Sequence, residues 1–410
     1  MHRRPAIVFI LITLLIDVMS FGLLLPVLPA LVGEFTASRD AQTYWYGTMI
    51  VTFGLTQFFC APLLGALSDR YGRRPVLLGS IAGLGSMFLL TALATSLAGI
   101  VLARVLGGML AANFAVANAY VADITTPEKR AKSFGLIGAA FGIGYIVGPM
   151  IGGLLGSIDL RLPFYVAAAL SGANFLYGVI VVPESLPPER RTPLNWRRAN
   201  PVSSLRGLAR LRSVGVLVAV IALANLAQFI LHGTWVLFTD FRFGWGPRET
   251  GLSLFAVGMM AAIVQGGLLS RLLRALGERR LVVIGLASGT LAYLAYGLTT
   301  VGWVIYVIIV VNLLAFAVGP ALNAIVSKAA DPSEQGVAMG SLTSLSALMA
   351  VIAPFLGAPL LAEVSHLPAD DWKIGAPFFM SAALSLLALI LAVIHFRRHR
   401  AGEAVRVAAV

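Results

Sequence analysis

The chain has 410 residues, of which 59% are hydrophobic and only 12% charged, and it carries a formal net charge of +12. Soluble globular domains carry about a quarter charged residues, so this composition excludes an ordinary soluble enzyme and suits a chain solvated mostly by lipid. The basic residues sit in short clusters between apolar runs, which excludes a continuous nucleic-acid-binding stripe and matches orientation signals at a membrane surface.

Twelve apolar segments are expected to cross a bilayer. In chain order the first six are 6–31, 43–66, 76–96, 98–123, 133–156 and 163–183. The second six are 213–239, 250–272, 281–299, 302–327, 336–362 and 374–396. Arg3 and Arg4 precede the first run in the manner of a secretory signal, but the run extends past Leu31 and holds Asp17 in its middle, so a retained first span is expected. Cys60 is the single cysteine and lies in an apolar stretch, which leaves no internal disulfide and no metal-binding pattern.

Between the sixth and seventh segments lies 184–212, rich in proline and arginine. It divides the chain into an N-terminal six-helix bundle (1–183), a cytoplasmic linker (184–212), a C-terminal six-helix bundle (213–400) and a cytoplasmic tail (401–410). An even number of spans puts both termini on one side. All but six of the 30 lysines and arginines then share that side with the termini and the loops near residues 70, 130, 200, 275 and 330. Arg39, Arg161, Arg242, Arg248 and Lys373 fall opposite, and Arg104 lies inside a span. The positive-inside rule places both termini in the cytoplasm of a multi-pass protein of the cytoplasmic (inner) membrane.

The halves repeat. A shift of 205 residues superposes Gly72 on Gly277, Pro127 on Pro332, Gly135 on Gly340, Pro149 on Pro354 and Gly152 on Gly357. The fold class expected is an all-α polytopic membrane protein of twelve transmembrane helices in two pseudo-symmetric bundles, an architecture found in secondary transporters.

Four segments carry a recognisable pattern. The first span reads Asp17-Val-Met-Ser-Phe-Gly22-Leu-Leu-Leu-Pro26-Val-Leu-Pro29. The second-to-third loop reads Gly65-Ala-Leu-Ser-Asp69-Arg70-Tyr-Gly72-Arg73-Arg74-Pro75. The fourth span holds Arg104-Val-Leu-Gly107-Gly108 and ends Ala119-Tyr120-Val-Ala122-Asp123. The fifth holds Gly144-Tyr-Ile-Val-Gly148-Pro149-Met-Ile-Gly152-Gly153. Together these resemble the major facilitator superfamily, and within it the twelve-span drug/proton antiporters, most closely the bacterial tetracycline exporters. The resemblance implies the major facilitator fold, proton-driven exchange, and a role in proton coupling for Arg104. It also implies that Gly144, Gly148, Pro149, Gly152 and Gly153 form the antiporter signature. This chain departs from the tetracycline exporters at Met87, Ala261 and Gly289, where they keep an acid, a histidine and an acid. The resemblance therefore implies the transport frame rather than tetracycline itself as cargo.

The residues support this reading independently. A carboxylate in mid-span costs about 2.5–3.5 kcal/mol on insertion scales and needs a reason. Thr13, Asp17 and Ser20 fall on one helix face, expected to turn toward a polar cavity, which makes Asp17 a candidate proton carrier; its alternative is a structural acid paired with Arg104. Arg104 is itself a coupling candidate, with snorkelling to an interface as the alternative. In the surface turn, Gly65 and Gly72 are expected to permit close backbone approach, with Asp69 facing a helix N-terminus and Arg70 pairing with Asp123 as a conformational latch. Arg73 and Arg74 join that latch or only set topology. In the repeat register Arg274 replaces Asp69, so the latch is expected on one side only.

In the seventh span Asn225, Gln228, His232 and Trp235 share a face. His232 is a third coupling candidate, with a hydrogen-bonded core histidine as its alternative. Gln57, Asn113, Asn225, Gln228, Trp235, Gln265, Asn312 and Phe316 are expected to line the cargo cavity between the halves, with helix packing as the alternative for each. The stretch Pro183-Glu184-Ser185 resembles the one that follows the sixth span in these exporters. No phosphate-cradling glycine loop, paired carboxylates, nucleophile elbow or zinc helix is present, so ATP drive, enzymatic activity and cofactors are not expected.

The function expected is a proton-coupled antiporter exporting small amphipathic compounds by alternating access. Its partners would be a small-molecule cargo, protons and the lipid bilayer, without nucleic acid, and it would work as a monomer. A metabolite importer and a non-transporting membrane sensor or scaffold are the alternatives.

Overall fold

The structure is a computed structural model that describes residues 7–111, 113–193, 215–329 and 335–408. Residues 194–212 of the expected linker and Pro332 of the repeat register lie outside the described residues.

The described residues are almost wholly helical. In the N-terminal half these are α1 (Ile7–Gly22), α2 (Leu28–Gly33), α3 (Arg39–Tyr71), α4 (Arg73–Leu93), α5 (Leu97–Leu110), α6 (Asn113–Ile124), α7 (Pro127–Gly156) and α8 (Leu162–Val181). In the C-terminal half they are α9 (Gly215–Phe243), α10 (Pro247–Ile263), α11 (Leu269–Leu298), α12 (Val304–Val311), α13 (Val318–Ala329), α14 (Gln335–Val364) and α15 (Ala376–Ala408). Among the described residues nine helices are long and apolar enough to cross a membrane, or ten with the bent pair Val304–Val311 and Leu313–Lys328. One of these, Pro247–Leu298, is 52 residues long and is broken at Gly277, whose φ of 72° and ψ of 161° are not helical. Counting it as two passes, and Ile7–Gly33 as a broken first one, gives the twelve expected. Lipid enforces this: a backbone amide left open in hydrocarbon costs several kcal/mol, so each pass closes its hydrogen bonds within itself.

Three expected spans are not continuous. The first breaks over residues 23–27, before Pro29 enters α2; the fourth breaks at Ala111; the tenth bends by 48° at Asn312 and passes through a 3₁₀ segment, Leu313–Ala317. A fourth irregularity, a π-helical turn at Val264–Leu268, links α10 to α11.

The chain forms two compact units, one of residues 1–201 with 245–258, the other of residues 202–244 with 259–410. In the first, α1 packs on α7 and α8, and α4 on α8. The second repeats those pairings, with α9 on α14 and α15, and α11 on α15. The first unit has a core around Ile10, Leu14, Ile81, Val116 and Tyr120; the second has one around Val220, Leu281, Ala321, Val326 and Ala388.

Arg161 and Arg242, two of the five basic residues expected opposite the termini, hold backbone carbonyls. Arg161 donates to the carbonyls of Ala92 and Ala94 at the end of α4, and Arg242 to those of Gly297, Ala369 and Asp371. Guanidinium groups satisfy carbonyls that helix ends leave open.

Candidate functional site

Three groups of polar side chains stand out from the apolar background. The first surrounds Asp17. Thr13 and Ser20 flank it on α1 and, contrary to the expected open polar face, are fully buried; each gives its hydroxyl to a carbonyl of its own helix, Phe9 and Ile16. The carbonyl of Thr13 accepts from Asn174 on α8. Asp17 is 9% exposed and faces the Asn113 amide of α6. Its Oδ1 has no hydrogen-bond partner among the described residues, nor have either of the Asn113 side-chain polar atoms. Arg104 of α5, also buried, interacts with Tyr46 and lies 6.0 Å from the Phe53 ring, while its Nε and Nη2 have no hydrogen-bond partner among the described residues. Arg104 therefore does not snorkel, and no ion pair joins it to Asp17. Gln57 donates to the Ala111 carbonyl at the break in the fourth span.

Asp17, Asn113 and Arg104 together thus leave five side-chain atoms without a hydrogen-bond partner among the described residues, where a buried polar atom normally finds one. Of these groups the Asp17 carboxylate is costly to keep charged and is neutralised by a proton or a bound cation.

The second group is the surface turn. α3 runs on to Tyr71, so Gly65 lies inside a helix with open space around it and makes no close backbone approach. Gly72 alone forms the turn, with φ of 107°, a conformation L side chains rarely adopt. The residue that reaches Asp123 is Arg73, not Arg70. Arg73 is 8% exposed; it donates Nε to Asp123 Oδ2 at 3.0 Å and Nη1 to Ser68 Oγ at 2.7 Å, and pairs with Asp69. Arg70 stacks over Tyr71, and Arg74 donates to the Val179 carbonyl. The anion at a helix N-terminus is Glu184 rather than Asp69. Its carboxylate accepts from the backbone N–H of Arg73, Arg74, Ser185 and Leu186, which caps α4. Ser185 donates to Asp123 at 3.2 Å. The network thus ties α3, α4, α6 and the chain after α8 into one corner.

The second unit has its own version. Gly277 repeats the turn of Gly72, and Lys328 at the end of α13 pairs with Glu278. An ion pair at this turn, expected on one side only, is present in both units: the 205-residue shift that superposes Gly72 on Gly277 also places Arg73 on Glu278 and Asp123 on Lys328. The ion pair survives with both charges inverted.

The third group lies on α9. Asn225 donates to Ser346 Oγ of α14 at 2.7 Å. Gln228 Nε2 lies 2.8 Å from His232 Nε2, and Tyr293 of α11 donates to Gln228 Oε1 at 3.1 Å. Trp235 is not a lining residue: it is 2% exposed, held edge-on by Tyr296 and Phe378. Gln265, in the π-helical turn, donates to the Phe316 carbonyl; Asn312, at the bend, accepts from Ser288; the Phe316 side chain packs against the core of the second unit.

The signature glycines face α1 and the start of α10. An added Cβ on Gly144 would lie 3.0 Å from Val18 Cβ, on Gly148 2.8 Å from Gly22 Cα, on Gly152 2.7 Å from Leu23 Cα, and on Gly153 3.0 Å from Gly251 Cα. Helix backbones meet here with no room for a side chain. Pro149 lies within α7, its carbonyl against Gly251. Among the described residues no cluster of histidine, cysteine or acid could hold a metal ion.

The family described as Major Facilitator Superfamily matches residues 10–354. The class C tetracycline resistance protein of Escherichia coli is 37% identical over 390 residues, covering 95% of this chain and 96% of that protein. The crystal structure of the human organic anion transporter MFSD10 is similar with a TM-score of 0.69 and 28% identity, covering 94% of this chain and 98% of that one. That of the nucleoside transporter NupG gives a TM-score of 0.75 at 13% identity, over 95% and 98% of the two chains, a likeness of fold.

Proposed function

The chain belongs to the Major Facilitator Superfamily as a multi-pass membrane transporter, and we propose that it is a proton-coupled antiporter exporting small amphipathic compounds across the cytoplasmic membrane by alternating access, with both termini in the cytoplasm. The observation that carries this reading is Asp17, a buried mid-span carboxyl with one oxygen that no described protein group satisfies. A permanent structural acid would have its partner; a carrier must release one. Protonated, Asp17 is neutral and tolerated in the apolar unit. Deprotonated, it needs a counter-charge, which a cationic or chelated cargo supplies. Arg104, buried and without an ion pair to Asp17, biases the exchange without neutralising the carboxylate in a fixed pair.

Asn113 and Gln57 give this cluster neutral polar contacts for cargo. The Arg73–Asp123 and Glu278–Lys328 pairs stabilise one conformational state and open in the other. The signature glycines keep the helix seam tight against proton leak. The similarity to the class C tetracycline resistance protein supports export of drug-like cargo, while Met87, Ala261 and Gly289 point away from tetracycline as the sole substrate.

The test is Asp17→Asn in proteoliposomes with an imposed proton gradient and a panel of fluorescent drugs. Uphill transport should vanish while insertion and elution as a folded monomer persist. Full gradient-driven flux in the variant would remove Asp17 from coupling.

A further inference from the structure

The polar stripe on α9 is not uniform along its length. Asn225 at one end is committed to Ser346, and Trp235 at the other is buried among aromatic rings. Between them Gln228 is exposed and His232 half-buried, near the middle of a 29-residue apolar helix. Exposed polar groups at that depth belong on a wetted path, because lipid would leave them unsatisfied.

Their hydrogen bonds have a direction. The Tyr293 hydroxyl is buried with one proton to give, and gives it to Gln228 Oε1. That fixes the Gln228 amide with its N–H₂ toward His232, 2.8 Å from Nε2. Nε2 is then the acceptor, so the proton of the neutral ring sits on Nδ1. The Phe229 ring stands edge-on to the imidazole at 6.3 Å and limits its rotation. The relay Tyr293–Gln228–His232 therefore ends in one oriented N–H donor beside an aromatic surface.

We propose that His232 Nδ1–H, oriented through Gln228 and Tyr293, is a cargo-recognition subsite that takes a carbonyl or enolate oxygen on a planar ring system. It rests on the reading of the chain as an exporter and assigns His232 to specificity rather than to proton coupling. A donor that is already oriented discriminates strongly, since a cargo without the matching oxygen leaves it unpaired. Tyr293 is a positioning residue: it touches Gln228 and acts on cargo only through the ring it orients.

The test uses the full-length protein in nanodiscs, with equilibrium binding of tetracycline, which carries ketone and enol oxygens, and of proflavine, a planar cation with no oxygen. His232→Phe should weaken tetracycline about 10- to 100-fold and leave proflavine within about twofold. Tyr293→Phe should weaken tetracycline by a smaller factor and also leave proflavine unchanged. In vesicles, protons moved per tetracycline should be the same in His232→Phe as in the unaltered protein. Equal weakening of both probes, no weakening of tetracycline, or no tetracycline binding by the unaltered protein would each overturn the proposal, as would a changed proton ratio. Intact, selective binding without gradient-driven flux would instead sink the exporter reading and leave the subsite standing.

Discussion

Removing Asp123 and removing Lys328 delete equivalent members of two ion pairs related by the internal repeat, yet the environments differ enough to separate their effects. Arg73 presents a side chain only 10% exposed, and its partner Asp123 is 21% exposed; the Lys328 side chain is 71% exposed. Asp123→Ala deletes a charge-assisted hydrogen bond at 3.0 Å and the Ser185 contact at 3.2 Å. Ser68 and Asp69 continue to hold the guanidinium, so the loss should be about 2–3 kcal/mol rather than the larger penalty of a fully orphaned charge. Lys328→Ala opens a pair mostly in water, worth about 0.2–1 kcal/mol. The assay is a double-mutant cycle for each pair, read by equilibrium unfolding in mixed micelles at about 0.15 M and 1 M salt, where the screening length falls from roughly 8 to 3 Å. Coupling between Arg73 and Asp123 should be large and nearly salt-independent; that between Glu278 and Lys328 should be small and vanish at high salt. Equal couplings, or a salt-resistant Glu278–Lys328 pair, would refute the argument from burial.

Further outcomes concern glycines. Gly152→Ala should destabilise by about 1–3 kcal/mol, since its new methyl meets backbone that cannot yield, whereas Gly142→Ala, with nothing within 4 Å, should be neutral or stabilising by up to about 1 kcal/mol; melting temperatures in detergent compare the two. Gly72→Ala combines a positive φ with a methyl driven onto the Glu184 carboxylate that caps α4, while Gly277→Ala meets only the positive φ. Strain of about 1–3 kcal/mol applies to both, so the Gly72 variant should lose measurably more and release the cap as well, read as faster proteolysis after residue 184.

The spans were legible because lipid imposes one rule on every pass, so hydropathy alone reports them. Their interruptions were not, because a break at residues 23–27, Ala111 or Asn312 depends on what packs beside it rather than on the local run of apolar residues. Periodicity assigns Asn225, Gln228, His232 and Trp235 to one face but carries no information on what packs against each. Trp235 is buried because Tyr296 and Phe378, more than 60 residues away, close over it. Arg70 and Arg73 were indistinguishable until the turn was placed at Gly72, which leaves Arg70 in the last turn of α3 and puts Arg73 at the first residue of α4 beside α6. The charge-inverted pair was the recoverable miss. Matching the halves by residue identity sets Arg73 against Glu278 and Asp123 against Lys328 as two mismatches. The attraction between two charges depends on their product, and inverting both leaves the product unchanged. Compared pair by pair rather than residue by residue, the same 205-residue register shows a preserved contact, and the second ion pair could have been read from the sequence alone.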